Sequence, residues 1–128
     1  MALNKIETTT APAALGPYSQ AVQAGDFLYC SGQVPLVPAT GEMVAGGIIE
    51  QTVQVMENLK QVLQAAGADF SCVVKTTIFL ADMNDFAVVN EQYGRYFGGV
   101  APARATVQVA ALPKNARIEI EAVAYLGN

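Results

Sequence analysis

This sequence predicts one α+β domain with both helices packed on a single face of its sheet, and three observations carry that prediction. The 128 residues are 52% apolar and only 14% charged, enough to bury one sizeable core and too few for two. Alternating runs lie toward both ends of the chain and runs of helical spacing lie between them, so the order is strands, helix, strand, helix, strands. No internal repeat, low-complexity tract or linker divides residues 1–128.

After a short segment around Leu3–Ile6, two prolines and a glycine between Thr8 and Pro17 forbid regular structure and predict a shaped loop. Tyr18–Gln23 and Phe27–Ser31 flank a Gly-Asp turn and read as a hairpin that ends at Gly32. Val34–Gly47 holds two prolines and several glycines and reads as a loop, with a tight turn at Thr40-Gly41-Glu42. Ile48, Thr52, Val55, Met56, Leu59, Val62, Leu63 and Ala66 recur at three- and four-residue spacing, which predicts a helix closed by Gly67. Val73–Leu80 is rich in β-branched residues and reads as a strand. A second helix starts near Asp85, with Asp82, Asn84 and Asp85 as cap candidates and a stripe of Phe86, Val89, Tyr93, Tyr96 and Phe97, and Gly98-Gly99 stops it. Two strands close the chain, Ala103–Ala110 and Arg117–Leu126, joined by a turn at Leu112-Pro113-Lys114-Asn115.

Composition narrows the chemistry. Seven basic against eleven acidic residues give a net charge of −4, and no basic cluster supplies the footprint of nucleic-acid binding. The chain has no histidine, which removes imidazole bases, Ser-His and Cys-His pairs and zinc-hydrolase ligand sets. No metal and no cofactor is expected. Cys30 and Cys72 lack CxxC spacing and read as buried free thiols of a reducing compartment. A cytoplasmic location follows, or an organellar one if a transit peptide has been removed from a longer precursor. No segment approaches the length of apolar chain that a membrane span requires. The low charged fraction leaves little polar surface for a monomer, so self-association is expected, with the uncovered sheet face against another copy.

Within this frame Arg104 stands out, because it enters the apolar run Pro102–Val107 shortly before a strand that carries Glu119 and Glu121 on one face. A guanidinium presents a rigid fork that matches a small carboxylate, and a nearby carboxyl group can handle water or a proton. Charges on a solvated strand face are the plain alternative.

The motifs Gly16-Pro17-Tyr18-Ser19-Gln20-Ala21, Ser31-Gly32-Gln33, Asn58-Leu59, Lys75-Thr76-Thr77, Pro102-Ala103-Arg104, Leu112-Pro113 and Ile118-Glu119-Ile120-Glu121 occur in this order over Ile6–Ala124. Together they resemble the RidA/YjgF/YER057c/UK114 family. The resemblance implies a chorismate-mutase-like α+β fold with a mixed β-sheet, a homotrimer around a central barrel, and clefts at the subunit interfaces. It implies hydrolytic deamination of enamine and imine acids, 2-aminoacrylate/2-iminopropanoate and 2-iminobutanoate, to 2-keto acids and ammonia. It also implies a functional link to the pyridoxal-phosphate enzymes that release such intermediates. Carried over by position, Arg104 clamps the substrate carboxylate, Glu121 holds water, and Tyr18 sits beside the substrate nitrogen. Ser31, Gly32 and Asn90 line the pocket. Thr106 stands where many members carry cysteine, so thiol-based regulation at that position is lost. Two other readings attach to the same family: a non-catalytic trimer that binds small carboxylates as a sensor or regulatory partner, and a ribonuclease or translation inhibitor, against which the acidic charge and missing histidine argue.

Overall fold

The last strand to be made is an interior strand of the sheet. In the computed structural model, which describes residues 2–127, six strands form one mixed sheet: β1 (Asn4–Ile6), β2 (Ala21–Ala24), β3 (Phe27–Gln33), β4 (Val73–Leu80), β5 (Ala103–Gln108) and β6 (Ile118–Tyr125). Their spatial order is β1-β2-β3-β6-β4-β5. Only β4 and β5 run parallel, joined through the second of the two helices, and every other pairing is antiparallel. The apolar alternation of β6 dictates which of its faces is buried. Ile118, Ile120, Ala122 and Ala124 are all buried on one face, while Glu119, Glu121, Val123 and Tyr125 point to the other.

Helices α1 (Ile48–Ala65) and α2 (Phe86–Gly94) cover the buried face. Val55, Met56, Leu59, Val62 and Leu63 of α1 and Val89 and Tyr93 of α2 close over Leu28, Ile78, Leu80, Ile118 and Ile120. Glu50 caps α1 by accepting the Gly47 N–H at 2.8 Å, and Gly67 ends it at φ +76°, a conformation that costs a side-chain-bearing residue. Asn58 faces inward among apolar neighbours for a stated reason: its Nδ2 donates to the carbonyls of Val34 and Leu36, and its Oδ1 accepts from Gln54. This side chain pins the irregular segment 34–47, whose turn at Gly41 closes through the Val37 and Glu42 backbone and a Leu36–Met43 bridge.

Several details differ from the sequence expectation. Tyr18, Ser19 and Gln20 lie outside the first hairpin strand, because Gln20 turns inward to hold the preceding loop. α2 ends at Gly94, before Gly98-Gly99, since the chain tightens after it to carry Tyr96 and Phe97 back against Phe70. β5 stops at Gln108, whose Oε1 accepts the Met83 N–H. Asp85 stands at the N-cap of α2 but makes no side-chain cap bond there: its carboxylate accepts both contacts of Arg117 Nη2 at 3.0 Å, and the Asp82 side chain caps the short turn ahead of α2. In β4, an extra residue between Val73 and Lys75 leaves Val74 outside and Val73 inside, against the simple alternation. Cys30 and Cys72 are free thiols; burial pushes Cys30 up to about 12, whereas Cys72, expected to be buried, is only partly so at the end of its short helical turn.

Asn58→Ala leaves the Val34 and Leu36 carbonyls without their donor, and the expected loss is about 1–3 kcal/mol of unfolding free energy. Urea denaturation reads it as a lower midpoint at unchanged slope. An unchanged midpoint would mean that the segment holds itself.

Candidate active site

The expected site residues fall into two groups on opposite faces of the sheet. The first is a cleft of about 600 Å³ lined by Tyr18, Ser31, Gly32, Glu119 and Glu121. A bulge makes it: Cys30 pairs with Ala122 and Gln33 with Ile120, so two residues of β3, Ser31 and Gly32, lie opposite the single Glu121. The bulge lets the Glu119 side chain lie across Gly32. A Cβ built on Gly32 would collide with the Glu119 carboxylate, so the glycine makes room for the acid where it lies and a larger residue would displace that side chain. Ser31 donates its hydroxyl proton to the Ser19 carbonyl at 2.6 Å, and its N–H goes to the Gln20 carbonyl at 3.0 Å. It is therefore a strut for the Tyr18 loop and retains only lone pairs toward the cleft.

Two carboxylates share this cleft, and they differ. Glu119 is half-buried and lies above the ordinary glutamate range, first because burial penalises its charge and second because Glu121 repels it. Glu121, opposite the bulge, is exposed. The sequence pattern placed both on one face without ranking them. The ranking signal was present in Gly32, whose missing side chain makes room for Glu119.

The second group lies on α2 and β5. Arg104 pairs with Thr76, which pairs in turn with Ala122, so Arg104 stands on the helix-covered face at the sheet edge. Its Nη1 donates to Asn90 Oδ1 at 2.6 Å, and its guanidinium carbon sits 5.4 Å from the Phe86 ring centre and 5.3 Å from that of Tyr93. Phe86, Asn90 and Tyr93 follow at helical spacing, so one face of α2 fixes the fork. Tyr93 is anchored by Thr76 Oγ1 at 2.7 Å. Thr106, two residues beyond Arg104, has a buried hydroxyl with no hydrogen-bond partner among the described residues, a group that a bound ligand or water can satisfy.

One chain therefore does not bring Arg104 to Glu121. Glu121 pairs with Thr77, which pairs with Ala105, on the open face, while β4 separates the two strands. That open face carries Phe27, Tyr29, Val107 and Tyr125, each between 38% and 50% exposed.

The profile of the family described as Endoribonuclease L-PSP matches residues 8–126. The chain belongs to that family. Among its relatives is 2-iminobutanoate/2-iminopropanoate deaminase of Mus musculus, 59% identical over 122 residues, 95% of this chain and 90% of the relative. The crystal structure of the Rid protein family member YyfA from Yersinia pestis superposes with a TM-score of 0.95 at 49% identity, over 97% of this chain and 99% of that one. TdcF of E. coli, solved with bound serine, gives a TM-score of 0.93 at 42% identity, over 97% and 99%. As a Rid-family chain it has the two helices on a mixed six-stranded sheet that the motifs implied. No helix among the described residues is long and apolar enough to cross a membrane.

The raised Glu119 makes a pH prediction. The folded chain holds this proton to higher pH than the unfolded chain does, so its contribution to stability is greatest below the unfolded value and declines as pH rises through the folded one. Glu119→Gln removes that decline. Thermal melts should show the variant above wild type at neutral pH and the two converging below about pH 4.3. Parallel curves across the range would contradict the burial of this acid.

Proposed function

We propose that this protein hydrolyses 2-imino acids of the 2-iminopropanoate and 2-iminobutanoate type to 2-keto acids and ammonia, at a site completed by a second copy of the chain. The observation that carries the reading is the split itself. A preformed guanidinium fork and a desolvated carboxylate lie on opposite faces, each half complete and facing outward, in a chain 59% identical to a relative named for this activity. A homotrimer, as the family motifs imply, covers the apolar open face and brings the Arg104 edge of one copy to the Glu119 cleft of the next.

In that site Arg104 binds the substrate carboxylate, with Asn90 holding its orientation. Water handling falls to the paired acids of the cleft, Glu121 as the family motifs imply and Glu119 beside it, the acid of raised proton affinity. As water adds to the imine carbon, a carboxylate takes its proton, and an acid whose affinity for protons is raised by burial does so better at neutral pH than an ordinary one. The proton passes to the nitrogen, the C–N bond breaks, and ammonia leaves as the new hydroxyl loses its proton to give the keto acid. Tyr18 donates to the nitrogen from the cleft wall, and the Gly32 backbone lets the reacting atoms approach. The orphaned Thr106 hydroxyl completes the hydrogen bonding of substrate or water. Partners on this reading are the small imine, the keto acid and the pyridoxal-phosphate enzymes that release the imine.

The test is keto-acid and ammonia release when threonine dehydratase acts on serine or threonine, with and without this protein. Acceleration is expected, and Arg104→Ala should lower kcat/KM by about a hundredfold, the kinetic equivalent of about 3 kcal/mol for a lost charged hydrogen-bond pair. Acceleration by no imine, together with keto-acid binding lost in Arg104→Ala, would favour the sensor reading instead.

Mixing separates the one-chain from the two-chain site. Arg104→Ala and Glu119→Gln variants, each inactive, unfolded together and refolded at equal amounts, should regain about one quarter of wild-type activity, since one site in four then draws both intact halves from different copies. No recovery would place both residues in one subunit.

A further inference from the structure

We propose that Gln20 is a positioning residue for Tyr18, acting through the loop that carries it. The inference deepens the deaminase reading and rests on the role given there to Tyr18. Tyr18 has little packing of its own: its ring is 55% exposed, and its N–H closes a tight turn onto the Gly16 carbonyl at 2.8 Å. A ring so exposed is not placed by its neighbours, so its place depends on the backbone beneath it.

That backbone is held at two points. On one side, Ser31 fixes Ser19 and Gln20 to β3 through its hydroxyl and its N–H. On the other, the carboxamide of Gln20, only 3% exposed, reaches back across the loop. Its Oε1 accepts the Thr8 N–H at 2.7 Å, and its Nε2 faces the carbonyls of Pro12 at 2.8 Å, Thr8 at 3.1 Å and Ala11 at 3.4 Å. One donor faces the oxygen and three acceptors face the nitrogen, so only one amide orientation fits. Residues 8–20 thus form a closed loop with Gln20 as its internal strut, and Tyr18 sits between strut and anchor. Pro12 and Pro17 stiffen what remains. Gln20 and Tyr18 both line the cleft with Glu119, and both also line a larger cavity of about 870 Å³ behind the loop. Within one chain the loop thus has a cavity on each side, and these hydrogen bonds, with the turn at Gly16, set where between the two the tyrosine stands.

Glutamine is specified here by its donors. Gln20→Glu keeps the size and replaces the donating nitrogen with a second oxygen facing three carbonyls, and Gln20→Met keeps the approximate volume with no polar atoms. Either change frees the loop, and kcat should fall by about tenfold with KM little changed, the expected scale when one proton donor loses its alignment.

A double-mutant cycle with Tyr18→Phe decides between positioning and plain stability. If Gln20 acts through Tyr18, adding Gln20→Glu to Tyr18→Phe lowers kcat no further than Tyr18→Phe alone, even though melting temperature still falls. If the two losses multiply, Gln20 supports the fold and the proposal is wrong. Where Gln20→Glu does not fold, Gln20→Met runs the same cycle. Should the wild type show no imine hydrolysis, the deaminase reading fails separately, and the cycle is read on 2-ketobutyrate affinity by calorimetry. Coupling there keeps Gln20 as the positioner of Tyr18, and multiplicative losses overturn it.

Discussion

The alternation along β6 is the constraint on which the rest depends. Four apolar residues at every second position must reach the helices, and burying them forces the intervening Glu119 and Glu121 onto the uncovered face. A slip of one residue would press both carboxylates into the layer formed by Leu59, Val62 and Leu63, at a cost no local contact offsets. Pairing on both sides, with β3 and β4, locks the register. The bulge at Ser31-Gly32 then works against a fixed partner, so the extra residue opens space beside Glu119 and cannot be absorbed by sliding.

β5 answers to a different demand. It joins the sheet parallel to β4, after α2 has crossed over the buried face, and so ends at the edge with Arg104 beneath that helix. The acid and the guanidinium thus owe their positions to two independent features, the central antiparallel pairing and the peripheral crossover. Each half of the chemistry is supported by its own neighbours: Glu119 by glycine and the bulge, and Arg104 by Asn90, Phe86 and Tyr93. That independence is what lets the acid and the guanidinium face outward from opposite sides of one small domain.

Much of this was legible in the sequence, and the reasons are local. The span of β4 follows from its β-branched run, the span of α1 from its apolar spacing and the Gly67 stop, and the alternation of β6 from four apolar residues in step. What was not legible depends on distant partners. The premature end of α2 reflects the packing of Tyr96 and Phe97 on Phe70, and Asp85, at the N-cap of α2, gives its carboxylate to an arginine 32 residues away. The strand order, with β6 inserted between β3 and β4, is set by the β4-α2-β5 crossover and has no signature along the chain. The residue types that the sequence offered for a site are found in two places, the cleft beside β3 and the edge at β5. The distinction between Glu119 and Glu121 needed the third dimension, because only the fold shows which acid lies over Gly32 and which stands opposite the bulge.

Arg104 is already held on three sides before any ligand arrives. A free arginine side chain carries about 1.5–2 kcal/mol of rotamer entropy, and here much of that freedom is given up when the chain folds, on contact with α2. A small carboxylate meeting this fork has few atoms from which to draw binding free energy. On the proposed reading, α2 orders the fork in advance, and a ligand of so few atoms is spared that cost.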